Sequence, residues 1–215
     1  AGYPYPRQVD FTGADLSGAN FSQVNLSQTN LTDAIFTNAN LSGVNFPNLI
    51  QGGTESNVSA YMDYSSLNFG GANLSGANLS GITAVGTNFN GADLRGAFIN
   101  GGDFSNSNFS NVNLSNTYIG KSDLGQGQGY PSFSGVNFQN SDLSNTVIYA
   151  DFNNANLTNV DFTDAHLTDI DLTGANLTAA DLTNATYGAN LTQAQIDQSS
   201  IDALEIYYDD NGLFK

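Results

Sequence analysis

The chain repeats one short pattern of polar and apolar residues almost from end to end. A small residue precedes Asn or Asp, then Leu or Phe, then Ser or Thr, and residues 71–80 read GANLSGANLS. The large apolar residue returns every five positions, as in Phe11, Leu16 and Phe21. This period fits neither a helix, with 3.6 residues per turn, nor a strand that alternates every second residue. Only a chain that turns a corner every five residues keeps all these side chains inside.

A longer spacing predicts how the corners stack. Phe69, Phe89 and Phe109 recur at intervals of 20 residues, which is four copies of the pattern. Such self-similarity is the sequence signature of a repeat architecture. We therefore predict a coil with four sides, in which these three rings lie directly above one another.

The pattern resembles the pentapeptide-repeat family, whose usual phrase is Ala-(Asp/Asn)-Leu followed by two freer positions. The resemblance extends over residues 9–191. It implies an all-β fold, a right-handed quadrilateral β-helix solenoid. In this fold the central Leu or Phe and the small residue two positions before it point inward, and the other three positions point outward. On this basis Leu114 is expected to be buried and Asn113 to face outward.

Two segments interrupt the repeats. An N-terminal leader, residues 1–8, precedes a solenoid predicted over residues 9–191. Loop insertions are predicted at residues 47–61 and at residues 125–131, because both carry Pro and Gly and lack the pattern. Both are expected to leave the solenoid at a corner. A third irregularity is a slip at Tyr149, where one spacing shortens from five residues to four.

The C-terminal end carries the signals of a cap. A solenoid exposes apolar core and unpaired backbone at each end. Thr192 and Gln195 have the spacing of a capping box, which predicts a short capping helix over residues 192–205. Residues 206–215 then form a tail. We expect the helix to seal the last coil.

Composition excludes several classes of function. The chain has 20 acidic residues against four Lys and Arg, a net charge of −16, and no Cys. Gripping phosphates requires clustered basic residues, so we predict no direct nucleic-acid binding. No apolar run is long enough to cross a bilayer, so no membrane insertion is expected. An acidic surface for a basic partner, or mimicry of nucleic acid, stays open.

No residue stands out as a catalytic, cofactor-binding or metal-binding group. The only histidine, His166, occupies an outward position of the pattern on an expected flat face. A general base needs a pocket and an orienting partner. Aspartates such as Asp151, Asp161 and Asp171 belong to the repeat itself, so none is singled out as an acid or base. We therefore predict no enzymatic activity, no cofactor and no metal site.

Three apolar residues occupy outward positions that normally hold Asn or Asp. They are Phe98, Tyr118 and Val147. Phe98 and Tyr118 are 20 residues apart and should stack in adjacent coils. Val147 joins that column if the second insertion occupies one shortened pattern. Two interpretations remain open: the 125–131 loop covers these residues, or they face a protein partner.

The sequence favours a non-enzymatic structural scaffold or protein–protein interaction module, with another protein as its partner. One alternative is a DNA-mimicking, gyrase-binding protein of the quinolone-resistance type, a branch that the resemblance includes. Another is ice or polysaccharide binding, motivated by Thr158, Thr163, Thr168, Thr173 and Thr178. The sequence does not fix the oligomeric state. Ala1 and the scarcity of Lys favour an exported protein of a periplasm or thylakoid lumen, and a cytoplasmic location is the alternative.

Overall fold

A computed structural model describes residues 9–26, 29–44, 46, 64, 67–121, 129–167 and 170–187. Its strands are short: β1 (Val9–Asp10), β2 (Thr29–Asn30), β3 (Phe98–Asn100), β4 (Tyr118–Gly120), β5 (Val147–Ile148), β6 (His166–Leu167) and β7 (Thr186–Tyr187). β1 pairs with β2, and β3 to β7 form one parallel sheet in chain order. Isolated parallel bridges connect the remaining sides. The predicted all-β solenoid is confirmed.

Four columns of outward residues, here called faces 1 to 4, follow the solenoid from coil to coil. Face 1 contains Asp10, Asn30, Thr83, Asp103, Ser132, Asp151 and Asp171. Face 2 contains Asp15, Ile35, Asn68, Asn88, Asn108, Asn137, Asn156 and Asn176. Face 3 contains Asn20, Asn40, Asn73, Asp93, Asn113, Asp142, Asp161 and Asp181. Face 4 contains Asn78, Phe98, Tyr118, Val147, His166 and Thr186. Because the chain visits the faces in this order, face 4 lies between faces 3 and 1.

Each corner is a hydrogen-bonded turn that explains the repeated pattern. The Ala77 amide donates to the Leu74 carbonyl at 2.9 Å, and Gly76 has a φ of 66°. A positive φ at the third turn residue is what a type II turn requires, which favours Gly or Asn there. The Asn73 Oδ1 atom accepts bonds from the Ser75 amide at 3.0 Å and the Ser75 hydroxyl at 2.7 Å. The Asn-Leu-Ser sequence therefore stabilises its own corner.

The core consists of the central apolar residues and the small residues of the pattern. Phe69 and Phe89 stack with ring centroids 5.2 Å apart, and Phe89 and Phe109 stack at 4.5 Å. This confirms the predicted column of rings. Leu114 is fully buried and Asn113 is half-buried, as the inward and outward assignment requires. Coils are joined by backbone bonds such as the one from the Leu94 amide to the Asn113 carbonyl, 2.7 Å long.

All three changes of spacing occur at the corner between face 4 and face 1. The central residues on either side of this corner are Phe46 and Tyr64, Ile119 and Phe133, and Ile148 and Phe152. The coil resumes by Pro131, whose carbonyl accepts a hydrogen bond from the Asp151 amide at 3.1 Å. The pairing of faces 2 and 3 continues through the first irregularity, and the pairing of all four faces continues through the other two. Faces 1 to 4 therefore stay aligned despite the changes in chain length.

Several predicted segments lie outside the described residues. They are the leader at 1–8, the first loop at 47–61, residues 125–128 of the second loop, the capping helix at 192–205 and the tail at 206–215. In the part of the chain that the structure describes, no helix has the length and apolar character to span a membrane.

Candidate functional site

Face 4 differs from the other faces because its outward residues are apolar over three successive coils. Strand register places Phe98 opposite Tyr118, and Tyr118 opposite Val147. Phe98 is 57% exposed and Tyr118 is 52% exposed, whereas Val147 is half-buried. This is the column that the spacing predicted, including Val147. Its role in binding stays a prediction.

Face 2 shows what usually occupies these positions. The Asn88 Nδ2 atom donates to the Asn68 Oδ1 atom at 2.8 Å, and the Asn156 Nδ2 atom donates to the Asn137 Oδ1 atom at 2.9 Å. An asparagine column thus forms hydrogen bonds between coils and presents a polar surface. Aromatic rings form no such bonds, so their presence on face 4 is not explained by the repeat.

Tyr118 lies flat along the backbone of its own strand. A Cβ atom built on Gly120 would be 2.6 Å from the Cε1, Cζ and hydroxyl atoms of the Tyr118 ring. Only glycine therefore allows the ring to approach the chain so closely at this point. Gly120 is buried beneath the ring, while half of Tyr118 remains exposed. The outer side of the ring is a flat apolar platform.

Two further tyrosines extend this surface toward face 1. The ring centroids of Tyr118 and Tyr149 are 6.2 Å apart, and those of Tyr149 and Tyr130 are 6.3 Å apart with planes at 21°. Tyr149 occupies the shortened corner, where its amide donates to the Ile119 carbonyl at 2.8 Å. We call the set Phe98, Tyr118, Val147, Tyr149 and Tyr130 the apolar strip. The sequence reasoning missed Tyr149 and Tyr130, although the slip at Tyr149 was a usable signal.

Acidic columns lie on both sides of face 4 from the coil of Val147 onward. Face 3 aligns Asp142, Asp161 and Asp181, and face 1 aligns Asp151 with Asp171. Hydrogen bonds from the amide and hydroxyl of Thr173 hold the pKa of Asp171 below its ordinary value. Corresponding bonds from Thr183, with its hydroxyl contributing most, lower the pKa of Asp181. The two carboxylates are therefore charged at neutral pH.

Positive charge is scarce near these columns. Among the described residues, the one salt bridge joins Arg95 to Asp93 at 2.6 Å, and the Arg95 hydrogen bond lowers the pKa of Asp93. Lys121 is exposed and directly follows the strand that carries Tyr118. The sequence from residue 122 to residue 214 contains no Lys or Arg. The acidic columns beside the strip thus lack counter-charges from their own coils.

His166 lies on face 4 beyond Val147 and is exposed, as predicted. Its Nδ1 atom is 2.6 Å from the Thr186 hydroxyl. Within the described part of the chain, no hydrogen bond links this imidazole to a third, orienting group, and nucleophilic catalysis relies on such a group. Likewise, no group of three or more His, Cys, Asp or Glu among the described residues has the arrangement of a metal site.

The threonines that suggested ice or polysaccharide binding do not form one rank. Thr163 follows Asp161 of face 3, Thr173 follows Asp171 of face 1, and Thr178 follows Asn176 of face 2. Thr168 lies outside the described residues. Residues five apart occupy successive sides of the coil, and only residues one coil apart share a side. The described threonines of this set therefore lie on three faces, and only Thr158 and Thr178 share one, on face 2.

Comparisons with known proteins bear on the fold. The family model described as "Pentapeptide repeats (8 copies)" matches residues 10–47, 65–101, 87–126 and 150–186. A comparison with curated proteins gives no match. A trypsin-treated variant of QnrB1, a plasmid-mediated fluoroquinolone resistance protein, is 20% identical, with 88% of this chain and 82% of that chain covered and a TM-score of 0.42.

Two other solved structures are similar to this chain at comparable sequence identity. HetL, a pentapeptide repeat protein involved in heterocyst differentiation regulation in Nostoc, is 23% identical, with coverages of 86% and 88% and a TM-score of 0.32. A pentapeptide repeat protein of the Arabidopsis thaliana thylakoid lumen is 21% identical, with coverages of 100% and 92% and a TM-score of 0.13. At these identities and TM-scores the structures carry no argument about activity.

Proposed function

Because this chain belongs to the pentapeptide-repeat family, we propose that it is a non-enzymatic scaffold that binds another protein through the apolar strip. The observation that carries the proposal is the exposure of Phe98 and Tyr118, 57% and 52%, in adjacent coils. Leaving apolar area in water costs about 25 cal/mol per Å². A partner that covers both rings would recover this free energy.

The setting of the strip suits protein recognition. Interface cores are enriched in aromatic residues, and a few such residues contribute most of the binding energy. The rings project from the five-stranded parallel sheet, and Tyr118 rests against Gly120. Little conformational freedom is lost when preorganised groups bind. A rigid, flat surface of this kind matches a scaffold better than an enclosed active site.

The DNA-mimicking, gyrase-binding alternative rests on charge. Aligned carboxylates on faces 1 and 3 of the later coils favour it. Against it, face 2 presents neutral asparagines from Asn68 to Asn176, and the duplex it would imitate is charged along its whole length. A gyrase supercoiling assay with the purified protein separates the two. Inhibition of supercoiling at stoichiometric concentration would favour the mimic.

The strip is tested by the double variant Phe98→Asn, Tyr118→Asn. Asn is the residue that face 2 carries at six successive positions, so the variant is expected to fold. The immobilised wild-type protein and the variant are each incubated with an extract of the source organism, and retained proteins are quantified by mass spectrometry. Ile35→Asn is the matched control, because Ile35 is 38% exposed on face 2 and its replacement also restores a polar position.

The outcomes separate binding from packing. If the strip binds a partner, the double variant keeps its thermal stability and loses that partner, whereas Ile35→Asn retains it. If the strip is covered by the protein's own loop, the double variant loses stability and the 125–131 loop becomes sensitive to protease. Retention of every partner by the double variant would refute the proposed function.

A further inference from the structure

We propose that the partner segment that docks on the apolar strip is cationic and carries arginine. This inference rests on the proposed function and specifies the chemistry of its ligand. Its first basis is charge complementarity. Face 4 lies between Asp142, Asp161 and Asp181 on one side and Asp151 and Asp171 on the other. A segment that runs from the rings along face 4 toward His166 therefore passes between carboxylates.

The face 1 carboxylates also form hydrogen bonds within the corners. The Asp151 Oδ1 atom accepts a bond from the Asn153 amide at 2.8 Å, and the Asp171 Oδ1 atom accepts bonds from Thr173 at 3.0 and 2.7 Å. Asp151 and Asp171 are paired in register, so the two carboxylates are separated by roughly one strand spacing, about 4.8 Å. Like charges this close favour a cationic partner over any other.

Arginine matches both components of the surface. Its guanidinium group is planar, stacks on aromatic faces and forms paired bonds with carboxylates, which the ammonium group of lysine does not do. Tyr118 offers a ring lying flat on Gly120, and Tyr149 lies two residues before Asp151. A guanidinium stacked on this tyrosine pair would lie within reach of a face 1 carboxylate. The tyrosine rings and a face 1 carboxylate therefore occur together at the corner between face 4 and face 1.

The test uses the full chain and three synthetic peptides as probes. The peptide Gly-Arg-Gly-Arg-Gly-Arg-Gly is compared with its lysine and glutamine counterparts by NMR titration and calorimetry. We expect the arginine peptide to bind with shifts confined to the strip and its edges. The lysine peptide should bind at least about threefold more weakly, because it loses stacking and paired bonds. The glutamine peptide should not bind.

Two pairs of substitutions assign the contributions. The double variant Phe98→Asn, Tyr118→Asn should bind the arginine peptide at least about fivefold more weakly, because cation–π contacts are lost. The double variant Asp151→Asn, Asp171→Asn should bind the arginine peptide at least about threefold more weakly, since Asn retains the corner hydrogen bond and removes only the charge. The matched control is Asp10→Asn with Asp15→Asn, which changes net charge equally. Their coil is six coils from that of Asp151, roughly 29 Å by strand spacing, and three coils from that of Phe98, roughly 14 Å, and both distances exceed the Debye length of about 10 Å at 0.1 M salt.

Lys121 allows a test of whether the strip prefers a positively charged ligand. It is exposed next to the strip, so Lys121→Gln should strengthen binding of the arginine peptide and weaken binding of any anionic probe. The proposal is overturned if the lysine peptide binds as well as the arginine peptide, or if the control pair has the same effect as the Asp151 and Asp171 pair. It is also overturned if the wild-type protein self-associates through the strip, or binds a neutral oligosaccharide there instead.

Failure of this inference can be distinguished from failure of the proposed function. If the pull-down partner depends on Phe98 and Tyr118 but the arginine peptide does not bind, the strip binds a protein of other chemistry. If neither the partner nor the peptide depends on these rings, the strip is not a binding surface and both proposals fall.

Discussion

Replacing Ala179 with glycine should stabilise this protein, although alanine-to-glycine changes usually destabilise. Ala179 is the third residue of a corner that the Ala180 amide closes on the Leu177 carbonyl at 2.9 Å. Its φ is 58°, in the left-handed region. An L-residue there costs about 1–2 kcal/mol relative to the right-handed form. Glycine avoids this cost but makes the unfolded chain more flexible, a loss of about 0.4–1 kcal/mol. We expect a net gain of about 0.5–1 kcal/mol.

Urea denaturation and thermal melting measure this gain. A stabilisation of 1 kcal/mol raises the Tm of a chain this size by about 2–4 °C. The matched control is Ala180→Gly, because Ala180 is buried and is not among the residues with positive φ. That change loses a buried methyl group, about 0.8 kcal/mol, as well as the same chain entropy. If Ala179→Gly destabilised the protein as much as Ala180→Gly, the account of the corners would be refuted.

Four other changes test the core, the charged columns and the cap. Leu114→Ala should lower the free energy of unfolding by about 2–5 kcal/mol through transfer and cavity effects. Asn113→Ala should lower it by about 1 kcal/mol, because water partly replaces the lost hydrogen bonds. Urea denaturation of both variants measures the difference. The Thr173 bonds hold the pKa of Asp171 below its ordinary value of 3.8. The unfolded chain therefore binds the proton more readily, so this contribution to stability is complete above that pH and is lost as pH falls through the folded pKa. Asp171→Asn should make an acid titration of the Tm shallower. Thr192→Ala should cost about 0.5–2 kcal/mol if Thr192 caps a helix, as measured by thermal melting.

The repeat made most of the architecture predictable. A five-residue period and intervals of 20 residues were enough to assign Phe69, Phe89 and Phe109 to one stacked column, because identical corners leave no freedom in register. The same arithmetic placed Phe98 and Tyr118 on one face. Where the five-residue period is unbroken, the position of a residue in the sequence determines the face on which it lies.

Where the chain departs from its period, the sequence was a weaker guide. Tyr149 and Tyr130 meet only because one corner is shortened and the other follows an insertion, so their contact depends on the path of those corners. The approach of the Tyr118 ring to Gly120 depends on a side-chain rotation that no pattern encodes. Ile35 is a different case. It is an exposed apolar residue on face 2 that the rule for outward positions would have identified, and it was overlooked.

At the corner between face 4 and face 1, the length of the chain changes without changing which residues share a face. Across the described coils, residue 35 pairs with 68, residue 108 with 137, and residue 137 with 156, so neither two long insertions nor one deletion has rotated any surface. Five residues folded as one further side of the coil, rather than as a loop at this corner, would turn every later coil by one side. At this corner, codons can be gained or lost without that effect. Natural length variants of this gene should therefore cluster here, and a foreign peptide grafted here would be displayed beside the strip.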